Sequence, residues 1–359
     1  MPDLDILECT LRDGSYAIDF QFTAEDTAIV CAALEDAGFR MIEIGHGIGL
    51  GASSPQLGIA AATDEEYLRA AASVLKKAKF GAFFIPGIGR KEHLDLARDY
   101  GMGFVRIGTN ITESEEAEEY IKYAKSLGFE VSYNAMKSYA VTPEDLLQRA
   151  KSVVDWGADI ICLVDSAGGM LPSDVKNYIE LLRDGTDARI GFHGHNNFLL
   201  GNANNLAALE AGATVLDSTI QGMGRGAGNA QTEVMVILYE KMGFETGIDK
   251  YKAMDIGEKI IRPKMRESHG VSAIELTTGY ALFHSSFLKR IYRAVDELHV
   301  DPKALIIEVS KIDKVDPTES LIMRVARKIA EEESRKKEIY FPRRIDTGYY
   351  PGRGGKSGE

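Results

Sequence analysis

The residue pattern with the clearest chemical meaning is a pair of histidines separated by one glycine, His193-Gly194-His195. On a β-strand, residues two positions apart point to the same side, so both imidazoles can reach one metal ion. The glycine removes a side chain where the backbone must run close. Two core or surface histidines that bind nothing are the alternative, so the prediction of a metal site needs a third ligand.

Asp13 supplies that third ligand if it lies at the same end of the fold as the two histidines. Two imidazoles and one carboxylate, with the remaining positions open, form a facial site for a catalytic divalent cation. The donors are nitrogen and oxygen without a thiolate, which favours Mn²⁺, with Mg²⁺, Co²⁺ and Zn²⁺ as alternatives. Asn229 is a candidate for a fourth corner.

Arg12 directly precedes Asp13 in the sequence. A guanidinium at this position can grip a substrate carboxylate or stabilise a developing enolate oxygen. The alternative is a structural salt bridge with Glu43 or Asp217. Both hypotheses place Arg12 at the same rim as the metal ligands.

A glycine-rich segment at 222–229, Gly-Met-Gly-Arg-Gly-Ala-Gly-Asn, superficially matches the dinucleotide fingerprint G-x-G-x-x-G. That fingerprint belongs directly after the first strand of a βαβ unit. Here the segment follows the eighth predicted strand. We therefore interpret it as a close-packed loop that brings backbone N–H groups to the site.

A scaffold for these residues is predicted by one repeated pattern, in which a short apolar run is followed by a turn and an amphipathic stretch of about 12 to 16 residues. Eight such runs predict strands at 4–10, 41–45, 79–85, 104–107, 130–135, 160–164, 190–193 and 214–217. Several helical patterns begin at a capping threonine such as Thr23 or Thr142, and many end at a glycine. Eight strand–helix units predict an α/β fold, the parallel (β/α)8 TIM barrel, with a doubly wound open sheet as the alternative.

Catalytic groups of such barrels stand at the carboxyl ends of the strands. The polar residues that follow the predicted strands are Arg12, Asp13, Tyr16, Glu43, His46, Arg106, Asp165, Ser166, His193, His195, Ser218 and Gln221. Ionisable groups are unfavourable within apolar strands, so their collection at one face predicts an active site there.

The domain organisation changes after the barrel. Residues 1–255 form the predicted catalytic barrel, and residues 256–335 form a predicted helical appendage. Helical patterns in the appendage lie at 285–298, 303–309 and 318–335. Residues 336–359 are rich in Gly and Pro and are predicted to form an extended or disordered tail.

Composition excludes several classes of function. The 359 residues carry a net charge of −12, so no basic surface is expected to bind nucleic acid. The apolar runs are too short to span a membrane, and the first residues lack the blocks of a signal peptide, which predicts a cytoplasmic protein. Three cysteines cannot all pair with one another, and the apolar surroundings of Cys9 and Cys162 predict buried, reduced thiols.

Several motifs together resemble a known superfamily. Thr10-Leu-Arg-Asp-Gly14, the His193–His195 pair, and segment 222–229 followed by Thr232-Glu233 are similar to the metal-dependent lyases and synthases on a TIM barrel, which include hydroxymethylglutaryl-CoA lyase and isopropylmalate synthase. Within that superfamily the sequence most resembles the 4-hydroxy-2-oxovalerate aldolases. Their motifs are matched in order at 46–54, 86–89, 164–166 and 279–287, and the resemblance extends over 5–330.

The resemblance implies a divalent-metal-dependent carbon–carbon lyase. Its substrate would be a small 4-hydroxy-2-oxo acid, cleaved to or formed from pyruvate and an aldehyde through a metal-bound pyruvate enolate. Asp13, His193 and His195 would hold the metal, which acts chiefly as a Lewis acid. Ser166 and His193 would contact the substrate, and Arg12 would stabilise the enolate. An oligomer and an acylating aldehyde dehydrogenase that docks on the helical region are further implications.

Two positions depart from the family pattern. Tyr16 stands where the family has its histidine base, and His284 stands where the family has a tyrosine before Ser-Ser-Phe. We interpret this as a reciprocal exchange, with His284 as the general base and Tyr16 as a hydrogen-bond donor or gate. An ordinary histidine, with a pKa near 6.5, suits this work better than a tyrosine with a pKa near 10. The alternative is that both residues line the pocket of a relative with a different substrate or reaction.

Two other functions compete with the aldolase hypothesis. One is a Claisen-type acyl-CoA lyase or synthase of the same superfamily. The lack of the extended regulatory region of the large synthases counts mildly against it. The other is a degenerate barrel that serves as a scaffold for a dehydrogenase partner, and the presence of all three metal ligands counts against this second alternative.

Overall fold

Eight parallel strands pair in chain order and close on themselves, since the last strand pairs with the first. This is a computed structural model, and it describes residues 4–265 and 273–335. The strands are β1 (Asp5–Glu8), β2 (Met41–Glu43), β3 (Lys79–Phe84), β4 (Phe104–Asn110), β5 (Glu130–Met136), β6 (Ile160–Asp165), β7 (Arg189–Gly194) and β8 (Val215–Ser218). The predicted (β/α)8 barrel is confirmed, and the open sheet is wrong.

Helices cover the outside of the barrel. They are α1 (Ala24–Asp36), α2 (Asp64–Val74), α3 (Lys91–Asp99), α4 (Glu118–Ser126), α5 (Pro143–Asp155), α6 (Pro172–Gly185), α7 (Gly201–Ala211), α8 (Thr232–Lys241) and α9 (Lys250–Ile256). The Thr23 hydroxyl accepts from the Asp26 amide, and the Asp26 carboxylate accepts from the Thr23 amide, which is the predicted capping box. Gly212 ends α7 with a φ of 109°, where a side chain would be strained.

The barrel interior is filled by an apolar layer. Met41, Phe104, Ile160 and Val215 belong to one buried cluster inside the strands. Strand residues two positions further along point to the same side. The same strands therefore place Glu43, Arg106, Cys162 and Asp217 in the next layer, towards the carboxyl ends of the strands. The apolar layer closes the amino-terminal side, so the polar groups face a site that opens only at the other end.

Four more helices follow the barrel: α10 (Ala273–Ala281), α11 (Leu288–Leu298), α12 (Pro302–Ser310) and α13 (Glu319–Arg335). They share a second apolar cluster that includes Phe283, Ile291, Leu305 and Ile322. The helical appendage is confirmed. Its predicted boundary between residues 255 and 256 stays a prediction, and the predicted tail at 336–359 lies outside the described residues.

The helical region α10–α13 packs against the loops at the carboxyl end of the barrel. A Cβ atom on Gly169, after β6, would lie 2.2 Å from the Gly279 carbonyl oxygen and 2.8 Å from the Leu282 side chain. The Asn197 amide, after β7, donates to the Thr278 hydroxyl at 2.9 Å. These contacts hold the start of the helical region directly over the site.

The composition predicts that no segment spans a membrane and that Cys9 and Cys162 are buried, reduced thiols. Within the described ranges 4–265 and 273–335, no helix is long and apolar enough to cross a membrane. Cys9, Cys31 and Cys162 are all free and buried, as predicted for Cys9 and Cys162.

The packing of the helical region on the barrel predicts the effect of Gly169→Ala. The added methyl group would lie 2.2 Å from the Gly279 carbonyl oxygen, so α10 must shift away and the free energy of unfolding falls by about 1–3 kcal/mol. Limited proteolysis should then cleave within 273–335 faster than in the unchanged protein. Leu171→Ala, at an exposed position nearby, is the control. Equal proteolysis of both variants would contradict the proposed contact.

Candidate active site

The floor of the site is a buried ionic network centred on Arg106. Its side chain is 1% exposed, and its Nη1 donates to Glu43 Oε2 at 2.8 Å. Its Nη2 contacts Asp217 Oδ2. Burial disfavours a charged guanidinium, but the two carboxylates raise the pKa of Arg106 well above its ordinary value. Charges buried this deeply are stable only when paired, so the three side chains fix one another.

Arg12 joins the same network from the loop after β1. Its Nε donates to Glu43 Oε2 at 2.8 Å, and its Nη1 donates to Asp13 Oδ2 at 2.5 Å. Arg12 and Glu43 therefore form the salt bridge that the alternative hypothesis predicts. It does not exclude a role in the reaction, because the same contacts hold the guanidinium rigidly beside Asp13.

The three predicted metal ligands lie together. Asp13, His193 and His195 each offer one ligand atom, and these atoms lie within 4.8 Å of one another. His193 Nε2 is 3.7 Å from Asp13 Oδ2. Within the part of the chain that the structure describes, this is the sole such group of His, Cys, Asp and Glu residues. The loop after β1 and the end of β7 bring the three together across the mouth of the barrel.

Neighbouring side chains set the orientation and charge of these ligands. His193 Nδ1 lies 2.8 Å from Asp217 Oδ2, so Nδ1 carries the proton and Nε2 is left free towards Asp13. Burial alone would raise the pKa of Asp13, but Arg12 and the two histidines hold it far below its ordinary value. Burial lowers the pKa of His195 to about 3. Asp13 is therefore a carboxylate and His195 a neutral imidazole, the forms that bind metals.

Two buried polar atoms next to Asp13 lack a hydrogen-bond partner in the described structure. They are His195 Nδ1 and Asn229 Oδ1. The other amide atom of Asn229, Nδ2, donates to Asp13 Oδ1 at 2.9 Å, so Asn229 lies beside Asp13 and its role at a fourth corner stays a prediction. Leaving such atoms unpaired costs about 1–3 kcal/mol each. Nitrogen and oxygen donors that converge in this way fit a divalent cation.

Ser166 lies at the same rim, directly after β6. It is buried, and its hydroxyl accepts from the Lys137 amide at 2.9 Å. The His195 amide donates to the carbonyl of Asp165, the residue before Ser166, at 3.2 Å. The predicted substrate-binding serine is thus placed beside the predicted metal ligands.

Tyr16 and His284, which are far apart in sequence, both contact Arg225. The Arg225 guanidinium carbon lies 4.1 Å from the centre of the Tyr16 ring. Arg225 Nη1 lies 3.0 Å from His284 Nε2, while His284 Nδ1 lies 2.6 Å from the Ser286 hydroxyl. The Ser286 backbone amide donates to Nδ1 at 3.3 Å, and Arg225 can only donate, so both ring nitrogens of His284 lie against donors. Tyr16 and His284 therefore lie against the same arginine, and the exchange of their roles stays a prediction.

The environment of these two rings shifts their protonation. Burial lowers the pKa of His284 well below its ordinary value, and the charges of Arg225 and Lys137 lower it further. Burial raises the pKa of Tyr16, and the charge of Arg225 opposes that rise. His284 is therefore a neutral imidazole and Tyr16 a neutral phenol at physiological pH.

Sequence reasoning missed the functional contacts of Arg225, Lys137 and Asp217. The signal for Arg225 was a cation placed among the glycines of segment 222–229. In the structure this loop folds back on itself, with the Asn229 amide donating to the Gly222 carbonyl at 3.0 Å. Its contribution to the site is the side chains of Arg225 and Asn229, in addition to the backbone groups that we expected.

Comparisons with known proteins agree with this geometry. Residues 3–260 match the HMGL-like family, and residues 270–331 match the DmpG-like communication domain. A 4-hydroxy-2-oxovalerate aldolase of Carboxydothermus hydrogenoformans is 44% identical over 321 residues, which are 89% of this chain and 96% of the relative. A 4-hydroxy-2-oxovalerate aldolase of Moorella thermoacetica is 42% identical over 329 residues, 92% of this chain and 97% of the relative. The N-terminal domain of a Bacteroides vulgatus protein described as an aldolase has a TM-score of 0.69 at 27% identity, covering 80% of this chain and 95% of that one.

The contact between His193 and Asp217 predicts the effect of Asp217→Asn. The amide can donate to His193 Nδ1 and so stabilise the wrong tautomer, with the proton on Nε2. Affinity for a divalent cation should fall about 10- to 100-fold, measured by calorimetric titration with Mn²⁺. Asp5→Asn, at the opposite end of the barrel, serves as the control. Unchanged affinity would mean that Asp217 serves Arg106 alone.

Proposed function

This chain belongs to the HMGL-like family and, within it, to the 4-hydroxy-2-oxovalerate aldolases, and on that premise we propose how its residues divide the work of the reaction. The activity is cleavage of a 4-hydroxy-2-oxo acid to pyruvate and an aldehyde, or the reverse. The observation that carries the assignment of roles is the convergence of Asp13, His193 and His195 at the carboxyl end of the barrel. The acyl-CoA lyase alternative is disfavoured because relatives at 38–44% identity bear the aldolase name.

The family depends on a divalent metal, and Asp13, His193 and His195 are the residues that would hold it, with Asn229 adjacent. When bound, the metal supplies Lewis-acid polarisation of the 2-oxo group. We favour Mn²⁺, because the ligands are nitrogen and oxygen donors and no thiolate is present among them. Mg²⁺, Co²⁺ and Zn²⁺ remain as alternatives.

Arg12, Ser166 and His193 act on the pyruvyl half of the substrate. Arg12 is held by Glu43 and Asp13, so its charge is already oriented when the enolate oxygen develops. The Ser166 hydroxyl binds the substrate carboxylate. His193, fixed through Asp217, presents the edge of its ring to the same half.

His284 and Tyr16 act on the aldehyde half. Neutral His284 takes the proton from the 4-hydroxyl at Nε2, and the C3–C4 bond breaks. The contacts of Nδ1 with the Ser286 hydroxyl and backbone amide hold the ring in place while Nε2 gains that proton. Tyr16 donates a hydrogen bond to the same oxygen as it becomes a carbonyl. The base comes from the helical region and the donor from the loop after β1, so substrate lies between them.

The helical region α10–α13 is the proposed docking surface for an acylating aldehyde dehydrogenase. The match of 270–331 to the DmpG-like communication domain supports this partner. An aldehyde is reactive, and direct transfer to a docked dehydrogenase would protect it from release. We also propose a cytoplasmic location and an oligomeric assembly. The residues proposed to hold the metal and those proposed to move the proton are all present in this chain, so a purely scaffolding role is disfavoured.

Metal removal tests the assignment of the ligands. Pyruvate release from 4-hydroxy-2-oxovalerate should vanish on chelation and return with Mn²⁺. Asp13→Ala should abolish both Mn²⁺ binding and turnover, because it removes the sole charged ligand. The variant should stay folded at a lower unfolding temperature, since Arg12 loses one ion pair and keeps the one with Glu43. Asp155→Ala, an exposed carboxylate at the end of α5, is the matched control. Metal-dependent turnover in Asp13→Ala would refute the site.

The role of His284 is tested by the pH profile. A base acts only in its neutral form, and its pKa is lowered, so activity should be flat above pH 6.5 and fall only at lower pH. His284→Ala should lower kcat about 10²- to 10⁴-fold and remove that acid limb, whereas Tyr16→Phe should be milder. The double variant Tyr16→His with His284→Tyr should regain part of the lost activity. An unchanged profile in His284→Ala would show that another group is the base.

A further inference from the structure

The positive charge of Arg225 is not neutralised by the protein. Arg12, the other arginine at the mouth of the site, has ion pairs with both Asp13 and Glu43. In residues 4–265 and 273–335, by contrast, no carboxylate oxygen lies within 4.0 Å of the Arg225 guanidinium. Its partners are the face of the Tyr16 ring and the His284 ring nitrogens. A half-buried guanidinium usually has a carboxylate partner, since partial desolvation disfavours an unpaired charge.

A second cation, Lys137, acts electrostatically on His284. Lys137 Nζ donates to the Val315 carbonyl and lies 4.9 Å from the centre of the Phe287 ring. Its nearest acidic neighbour, Asp316, forms no ion pair with it within the described residues. Burial lowers the pKa of Lys137 to about 8, so most of its charge persists at neutral pH. His284 therefore contacts one cation and feels the charge of a second, and neither cation has an ion pair among the described residues, in a chain whose net charge is −12.

The position of Arg225 identifies which end of the substrate it meets. Arg12, Ser166 and the metal ligands take the pyruvyl half, and Arg225 contacts both residues assigned to the aldehyde half, Tyr16 and His284. A neutral alkyl group there would desolvate the guanidinium without offering it a partner. A carboxylate there would form charge-assisted hydrogen bonds with it.

We propose that Arg225 is a specificity-determining residue that binds a carboxylate on the aldehyde half, so that 4-hydroxy-2-oxo dicarboxylic acids are the favoured substrate class. This inference rests on the proposed function. Binding of the carboxylate draws Arg225 Nη1 away from His284 Nε2 and frees that nitrogen for the 4-hydroxyl proton. As the C3–C4 bond breaks, its electron pair forms the enolate of pyruvate, and the C4 oxygen becomes the carbonyl of an aldehyde acid. The enolate then regains one proton at C3, which balances the reaction.

The proposal is tested with two matched substrates. On C4, 4-hydroxy-2-oxovalerate carries a methyl group and 4-hydroxy-2-oxoglutarate carries a carboxylate. Pyruvate release by the full chain with Mn²⁺ gives kcat/KM for each. The unchanged protein should favour the dicarboxylate at least about 10-fold, and Arg225→Gln should reduce that ratio about 10- to 100-fold, as expected for loss of one charge-assisted contact. Arg225→Lys, which keeps the charge, should retain most of the preference. Arg98→Gln, an exposed arginine on α3, should leave the ratio unchanged.

The ratio separates a specific role from a structural one, because a folding defect lowers turnover of both substrates alike. A preference of the unchanged protein for the methyl compound would overturn the proposal. So would an equal loss on both substrates in Arg225→Gln, which would place Arg225 against the pyruvyl half. Failure of the unchanged protein to release pyruvate from either substrate would instead refute the proposed function, and the carboxylate site with it.

Discussion

A single guanidinium buried inside the barrel connects the charged side chains that position the predicted metal site. Arg106 shares Glu43 with Arg12, and it shares Asp217 with His193. Removing any member would leave an unpaired charge in a buried position, which is far more costly than the network itself. The positions of a metal ligand and of the cation proposed to stabilise the enolate are therefore set by one ionic arrangement that no substrate touches. This arrangement lies one layer above the apolar filling of the barrel, where it is shielded from water and from screening by salt.

The regular parts of this molecule could be predicted from its sequence. Short apolar runs, capping threonines such as Thr23 and terminal glycines such as Gly212 define strands and helices because each follows from local backbone physics. The proposed metal ligands could also be predicted, since the His-x-His spacing and the position of Asp13 after a strand place them at one rim. Both inferences use only periodicity and the rule that barrel sites lie at the carboxyl ends of strands.

The remaining part of the site lies on loops, whose side chains do not follow the regular spacing of a helix or strand. Arg225 lies in a loop with left-handed backbone at Gly222, Gly226 and Gly228, and Lys137 is itself left-handed, with a φ of 57°. Side-chain directions from such segments cannot be read from residue spacing. That Tyr16 and His284 lie against the same arginine depends in addition on how the helical region packs against Gly169. This contact is between backbone atoms, so only the glycines themselves indicate it in the sequence. The partner of His193 was missed for a related reason, because Asp217 was considered as a partner of Arg12.

The close backbone contact between Gly169 and Gly279 also affects how such an enzyme can diverge. The groups that would bind the metal belong wholly to the barrel, whereas the proposed base comes from the short turn that connects α10 to α11. Heritable changes in that turn can alter which group moves the proton, and which substituent fits beside it, while the metal ligands and the buried ionic network stay as they are. Lineages that keep one scaffold can in this way acquire new substrates through a few substitutions in the turn and in the glycine-rich loop opposite it.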